Sequence, residues 1–151
     1  MGRFALRKGR WSITGQIYHV TFRTAGSDRH FASWTIATDA ARFLAAPSGW
    51  RKSRLLAWVL MPDHWHGMVA LGGNEPLSIC IGRLKGASAR HLRQTHPGLG
   101  RIWAAGYYDR ALRSEDDLLA AARYLVMNPI RAGTCKKGRR LSVLGRDLGR
   151  G

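Results

Sequence analysis

Between two apolar runs, Leu55 to Met61 and Met68 to Leu71, the chain reads Pro62-Asp63-His64-Trp65-His66-Gly67. No other stretch limits the fold so tightly. Pro-Asp favours a tight turn, and the runs beside it are too short for helices of ordinary length. The expectation is a β-hairpin, with one strand over Arg54 to Met61 and the next over His64 to Leu71. Side chains alternate faces along a strand, so His64 and His66 share one face and Trp65 takes the other. Two imidazoles side by side are half of a metal site. The same spacing also fits two ordinary histidines on a half-exposed strand.

The flanking sequence supplies partners for this hairpin. Gln16-Ile17-Tyr18-His19-Val20-Thr21-Phe22-Arg23 is rich in β-branched and aromatic residues and predicts a strand. Phe31 to Ile36 reads as a short extended piece. Thr38 is a candidate N-cap for a helix through Ala40, Ala41, Phe43 and Leu44, closed by Pro47-Ser48-Gly49. Pro76 can open a helix from Leu77 to Thr95, with Ile79, Ile81, Leu84 and Leu92 near one side. Trp103 to Leu112 predicts a fourth strand. Ser114-Glu115-Asp116-Asp117 is a capping box with acidic first-turn residues. It begins a last helix with the apolar stripe Leu118, Leu119, Ala122 and Leu125, stopped by Pro129. The order is βαββαβ plus one helix, the pattern of an α+β, ferredoxin-like sandwich with an antiparallel sheet. Residues 1–14 form a basic arm, 15–133 a single domain, and 134–151 a basic, Gly-rich tail expected to be mobile.

Charge narrows the partner. Lys and Arg number 25 against 9 Asp and Glu, a formal charge of +16 in 151 residues. Such an excess points to a polyanion, above all nucleic acid. Arg83, Lys85, Arg90 and Arg93, gathered on one predicted helix, are the candidate DNA-backbone contacts. The alternative is a merely solvated helix face. The longest apolar run is too short to cross a bilayer, so no membrane partner is expected. Cys80 and Cys135 form no metal-ligand or disulfide spacing, and a cytoplasmic setting follows by default. His19 either faces the histidine pair or is a satisfied structural histidine. His91 and His96 read as solvent-facing. Trp11, Trp34 and Trp50 either stack on bases or pack beneath loops, while Trp65 and Trp103 read as core.

A second motif lies on the last helix. Tyr124 and Asn128 stand four residues apart, so they are neighbours on one helix face. A phenol, with a pKa of about 10, is a weak nucleophile unless assisted. A divalent ion held by two imidazoles and an amide oxygen can assist as a Lewis acid, and Mn²⁺ or Mg²⁺ suits such ligands. Each residue also has a plainer reading, as a border tyrosine and a helix-terminal asparagine.

Met61-Pro62-Asp63-His64-Trp65-His66-Gly67-Met68-Val69, followed by Tyr124-Leu125-Val126-Met127-Asn128-Pro129-Ile130-Arg131-Ala132-Gly133, resembles the single-tyrosine HUH transposases, and among them the bacterial REP-associated tyrosine transposases. Ile17 to Thr21, Tyr107-Tyr108-Asp109 and Leu112-Arg113 support the resemblance, which spans about residues 15–133. It implies a ferredoxin-like enzyme that cuts single-stranded DNA beside a palindromic hairpin. Cleavage forms a 5′-phosphotyrosine link and frees a 3′-hydroxyl, which allows rejoining without ATP. Tyr124 would be the nucleophile, and His64 and His66 the ligands of a divalent metal, Mg²⁺ or Mn²⁺. Asn128 stands where relatives place a polar third ligand, often the longer Gln. The implied partner is a REP-type DNA hairpin in the bacterial nucleoid. Some relatives are dimers that exchange their tyrosine helices, and the REP-associated ones can act as monomers, so monomer and homodimer both stay open. The competing expectation is a non-catalytic nucleic-acid-binding module of the same fold.

Overall fold

The computed structural model describes residues 15–131, with 135–136, 139–140 and 144–146, and side chains as far as Met127. The predicted basic arm and most of the tail lie outside these residues. The elements run β1 (Ile17–Arg23), α1 (Trp34–Ala45), the short α2 (Pro47–Trp50), β2 (Arg54–Met61), β3 (His64–Ala70), α3 (Leu77–Thr95), β4 (Tyr108–Leu112) and α4 (Glu115–Arg131). Three short strands follow: β5 (Cys135–Lys136), β6 (Arg139–Arg140) and β7 (Leu144–Arg146). The main sheet has the order β4-β1-β3-β2-β7 and is antiparallel throughout. Its first four strands have the ferredoxin-like arrangement that the sequence predicts. The fifth comes from the tail, where β7 pairs with the edge of β2.

The β2–β3 hairpin closes at Met61 opposite His64, so Pro62 and Asp63 are its two turn residues. Both turn carbonyls are tied into the body of the protein. Asp63 O accepts from the Thr24 amide (2.9 Å) and Pro62 O from the Phe31 amide (3.1 Å). The histidine pair therefore begins at an anchored turn.

The sheet separates two cores. On one face, α1 and α3 cover Tyr18, Val20, Phe22, Leu60, Trp65 and Val69. Trp65 stacks on Phe22, with ring centroids 4.8 Å apart, and Trp103 meets Phe22 edge-on at 4.7 Å. Gly67 follows two residues after Trp65 on this face. A Cβ there would lie 2.1 Å from Trp65 Cη2, so a bare backbone is what admits the indole. On the opposite face, α4 lays Ala121 and Leu125 over Val59, Met61, Met68 and Leu112, with Leu118 and Ala122 alongside.

Several expectations need correction. Ser33, not Thr38, caps α1: its hydroxyl accepts from the Ile36 amide (3.5 Å). Thr38 sits inside the helix and donates back to Trp34 O (2.8 Å), a bond available to a hydroxyl on the following turn. The piece expected to be extended is instead a 3₁₀ turn (His30–Ala32) and the first turn of α1. β4 begins at Tyr108, not Trp103. Trp103 makes one bridge to Thr24, and the chain after it is held irregular by Lys85 Nζ, which donates to Ala104 O (2.7 Å) and Gly106 O (2.6 Å). Ile79 and Leu119 are exposed rather than part of their helices' apolar stripes. α4 continues through Pro129 to Arg131, because a missing amide within the last turn removes one hydrogen bond without ending the helix.

Candidate active site

Antiparallel register decides what the α4 side of the sheet displays. Thr21 lies opposite His66 and Arg23 opposite His64, while His19 faces Met68 on one side and Arg110 on the other. His19, Thr21, Arg23, His64 and His66 thus share a face, as period-two alternation requires. The sheet brings the two histidines together with ring centroids 4.5 Å apart.

The last helix completes the group. Tyr124 leans from α4 over this face and is 40% exposed. Its ring centroid lies 5.6 Å from that of His66 and 5.9 Å from that of His19, and His19 and His66 are 5.5 Å apart. Two features set this position. The stripe Leu118, Ala121, Ala122 and Leu125 fixes the helix on the sheet, and Tyr124 sits beside that stripe rather than within it. Asn128 lies one turn beyond Tyr124 on α4, with its side chain outside the described residues.

Each histidine has one nitrogen already engaged. His66 Nδ1 is 2.7 Å from Thr21 Oγ1, and His64 Nδ1 is 2.6 Å from Asp63 Oδ1. His66 Nε2 is buried and meets no hydrogen-bonding group among the described residues, as does His19 Nε2. Burial, then the neighbouring His64, His19 and Arg23, pushes the His66 pKa down to about 2. Burial and then Arg110 also lower that of His19. Both rings are therefore neutral near pH 7. A neutral imidazole has one nitrogen lone pair, which is what a metal ligand needs.

These features fit a divalent ion. Orienting partners on Nδ1 with Nε2 left over is the pattern of metal-binding histidines, and an unsatisfied buried nitrogen calls for a partner. Among the described residues no three His, Cys, Asp or Glu side chains converge on one point. The pair could offer two ligands, and any further ones from the described residues would be of other types.

The candidate DNA contacts lie elsewhere. α3 packs on the opposite face of the sheet from His64 and His66. Arg83 pairs with Glu75 and donates to Gly49 O (3.3 and 3.1 Å). Lys85 is committed to the two carbonyls noted above, and Arg90 and Arg93 are exposed. His91 and His96 are not simply solvated, since both bond Asp39, at 2.8 and 2.7 Å. Trp50 is buried and donates to Leu44 O (2.7 Å), which decides for packing, whereas Trp34 is 52% exposed.

Sequence reasoning left His19 undecided and missed Thr21 and Asp63. The signal was present: in Tyr18-His19-Val20-Thr21-Phe22-Arg23 the apolar residues alternate with His, Thr and Arg, which assigns those three to the face away from the aromatic core.

Comparison with known proteins agrees with this fold. The chain superposes on the structure of a REP-associated tyrosine transposase bound to a REP hairpin, with a TM-score of 0.66 and 21% identity over 82% of this chain and 72% of that one. A crystal structure of a candidate transposase from Deinococcus radiodurans gives a TM-score of 0.59 and 23% identity, covering 80% of this chain and 95% of that one. Identities this low establish a shared fold. A search of curated proteins returned no significant match. A family model, however, matches residues 12–126, most of the chain and the whole of the histidine face. By that match the chain belongs to the family of IS200-like transposases.

Proposed function

We propose that this protein is a metal-dependent, single-tyrosine DNA strand transferase acting beside REP-type hairpins. The observation that carries the reading is the meeting of Tyr124 with His66, itself in ring contact with His64, on the sheet face where the buried Nε2 atoms of His66 and His19 have no partner among the described residues. The family, the charge of +16 and the hairpin bound by the REP-associated relative support DNA as the substrate.

His64 and His66 would hold a divalent ion, Mg²⁺ or Mn²⁺, through Nε2, with Asn128 the candidate third ligand. When bound, the ion supplies Lewis-acid polarisation of the non-bridging phosphate oxygens. In the tautomers where Nδ1 donates to Thr21 and to Asp63, both Nε2 lone pairs are bare, so these two partners fix the orientation of the pair. The Tyr124 oxygen attacks phosphorus and the P–O3′ bond breaks. The phenolic proton is lost and the departing 3′-oxygen gains one, so no net proton is consumed. The 5′-phosphotyrosine keeps a phosphodiester's energy, and a second 3′-hydroxyl can reverse the step on a new strand without ATP.

α4 packs on its own chain's sheet, so Tyr124 and both histidines belong to one polypeptide. Arg90 and Arg93 are available for the DNA backbone, whereas Arg83 and Lys85 would have to leave intramolecular bonds to serve it.

Incubating the protein with a single-stranded hairpin oligonucleotide and Mn²⁺ should give a covalent adduct on a denaturing gel. A non-catalytic binding module would instead retain the hairpin without metal and form no adduct.

A further inference from the structure

Trp34 opens α1, one of the two helices that cover the aromatic face of the sheet, away from Tyr124 and the histidine pair. Its exposed indole lines an open cleft of about 390 Å³ with Thr35, Thr38, Asp39, Arg42 and His96, a size usual for small-molecule sites. Trp34, Thr38 and Arg42 are spaced four apart, so they stand in one row along the helix, about 12 Å from end to end. His96, the C-cap of α3, enters from the neighbouring helix. The polar groups divide by charge. Asp39 Oδ1 accepts from His91 Nε2 (2.8 Å), and Oδ2 accepts from Thr95 Oγ1 (2.9 Å) and His96 Nε2 (2.7 Å). A carboxylate has about four lone-pair sites, so Asp39 keeps one acceptor. Thr38 donates its hydroxyl proton to Trp34 O, which leaves its oxygen as a second acceptor. Arg42 is exposed, and no described carboxylate forms an ion pair with it.

We propose that this cleft is a nucleotide-binding site, separate from the histidine face, with the base stacked on Trp34, its amino group directed at Asp39 and Thr38, and its phosphate held by Arg42. An exposed indole offers a flat apolar surface on which any base can stack. A guanidinium takes a phosphate in bidentate fashion. Long side chains on a helix lean toward its N-terminus, so Arg42 reaches back along the row toward Trp34 and brings its charge near the stacked base. The two acceptors favour adenine, cytosine or guanine, which carry an exocyclic amino group, over thymine, which carries none. A wholly apolar ligand would leave Arg42 and Asp39 unused. A free nucleotide and an unpaired residue of a DNA strand present the same chemistry to this cleft. The site stands on these residues alone and does not depend on strand transfer.

The test uses the isotope-labelled full chain and follows the indole N–H resonance of Trp34, assigned by its absence from Trp34→Phe. Titration with dAMP should shift this resonance. By calorimetry, Trp34→Leu and Arg42→Ala should each weaken dAMP binding about tenfold, within the range for loss of one stacked base or one phosphate contact. Trp34→Phe should keep most of the affinity. The probe dTMP should bind more weakly than dAMP, by about tenfold, for want of the amino group. Adenosine, which lacks the phosphate, should bind the parent and Arg42→Ala alike. His66→Ala should leave the dAMP titration unchanged. A short single-stranded oligo-dA separates the two sources. A Trp34 shift at much lower nucleotide concentration than with dAMP assigns the cleft to unpaired DNA, and a shift only at equal or higher concentration assigns it to the free nucleotide. A Trp34 resonance that neither probe moves would overturn the proposal. So would dAMP affinities equal in the parent, Trp34→Leu and Arg42→Ala, or a dAMP response lost in His66→Ala.

Discussion

The two faces of the central sheet are built from the same strands and differ in nearly every physical respect. Trp65 is fully buried against Phe22 and Trp50, and one residue away on either side His64 and His66 point into a half-open, polar group. The aromatic face maximises contact area. Both faces hold a buried nitrogen without a partner among the described residues, Trp65 Nε1 on the one and the Nε2 atoms of His19 and His66 on the other, but only the histidine face sets such nitrogens within ring contact of a half-exposed phenol, where something can bind. The contrast teaches that the fold is secured from one side so that the other can carry reactive groups.

The contrast can be broken by substituting neighbours. The largest expected effect is His66→Ala, which should reduce strand cleavage about a thousandfold, as loss of several kcal/mol of transition-state stabilisation implies, yet leave the denaturant midpoint close to the parent's. Trp65→Ala should do the reverse in kind: about 3–5 kcal/mol of stability lost, with remaining activity tracking the folded fraction. Gly67→Ala should cost about 1–3 kcal/mol through overpacking against the Trp65 ring, read by the same urea titration. If His66→Ala proves as destabilising as Trp65→Ala, the division of labour between the faces is wrong.

Smaller changes sharpen it. Thr21→Val removes the group that meets His66 Nδ1 while keeping the strand. By the usual weight of such orienting contacts it should weaken Mn²⁺ binding about tenfold, measured by calorimetry, with little effect on folding. The smallest effect belongs to the aromatic side's rim. Burial would raise the Asp39 pKa, but hydrogen bonds from His91, Thr95 and His96 outweigh it, and the net shift is downward. A carboxyl depressed in the folded state stabilises above its unfolded pKa of about 4 and loses that contribution as pH falls. Stability of the parent relative to Asp39→Asn should therefore decline between pH 5 and 3, by less than about 1 kcal/mol for a partly exposed group.

The division was largely legible beforehand, because strand alternation is a strong signal. The hairpin, α3 and the pairing of His64 with His66 follow from period, turn chemistry and Pro76. What stayed hidden depends on tertiary choices. Trp34-Thr35-Ile36 has extended propensity but is drawn into α1 by the Ser33 cap. Trp103 and Tyr107 look like strand residues yet are buried from an irregular segment that Lys85 holds. β7 contains little apolar pattern because edge pairing uses backbone groups, which composition does not reveal. Tyr124 looked like a border residue from its own helix alone. Only the second motif, and then the packing of α4, set it against His66.

The central claim is that Tyr124 takes the phosphate and that the His64–His66 pair works through a metal. It is tested most directly by a denaturing gel of full-length protein with end-labelled hairpin DNA, in Mn²⁺, in Mg²⁺ and in chelator, for the parent and Tyr124→Phe. The account predicts a covalent protein–DNA band on the 5′-phosphate side of the cut that requires metal and vanishes in Tyr124→Phe. An adduct that persists in Tyr124→Phe, or that forms undiminished in chelator, would contradict it.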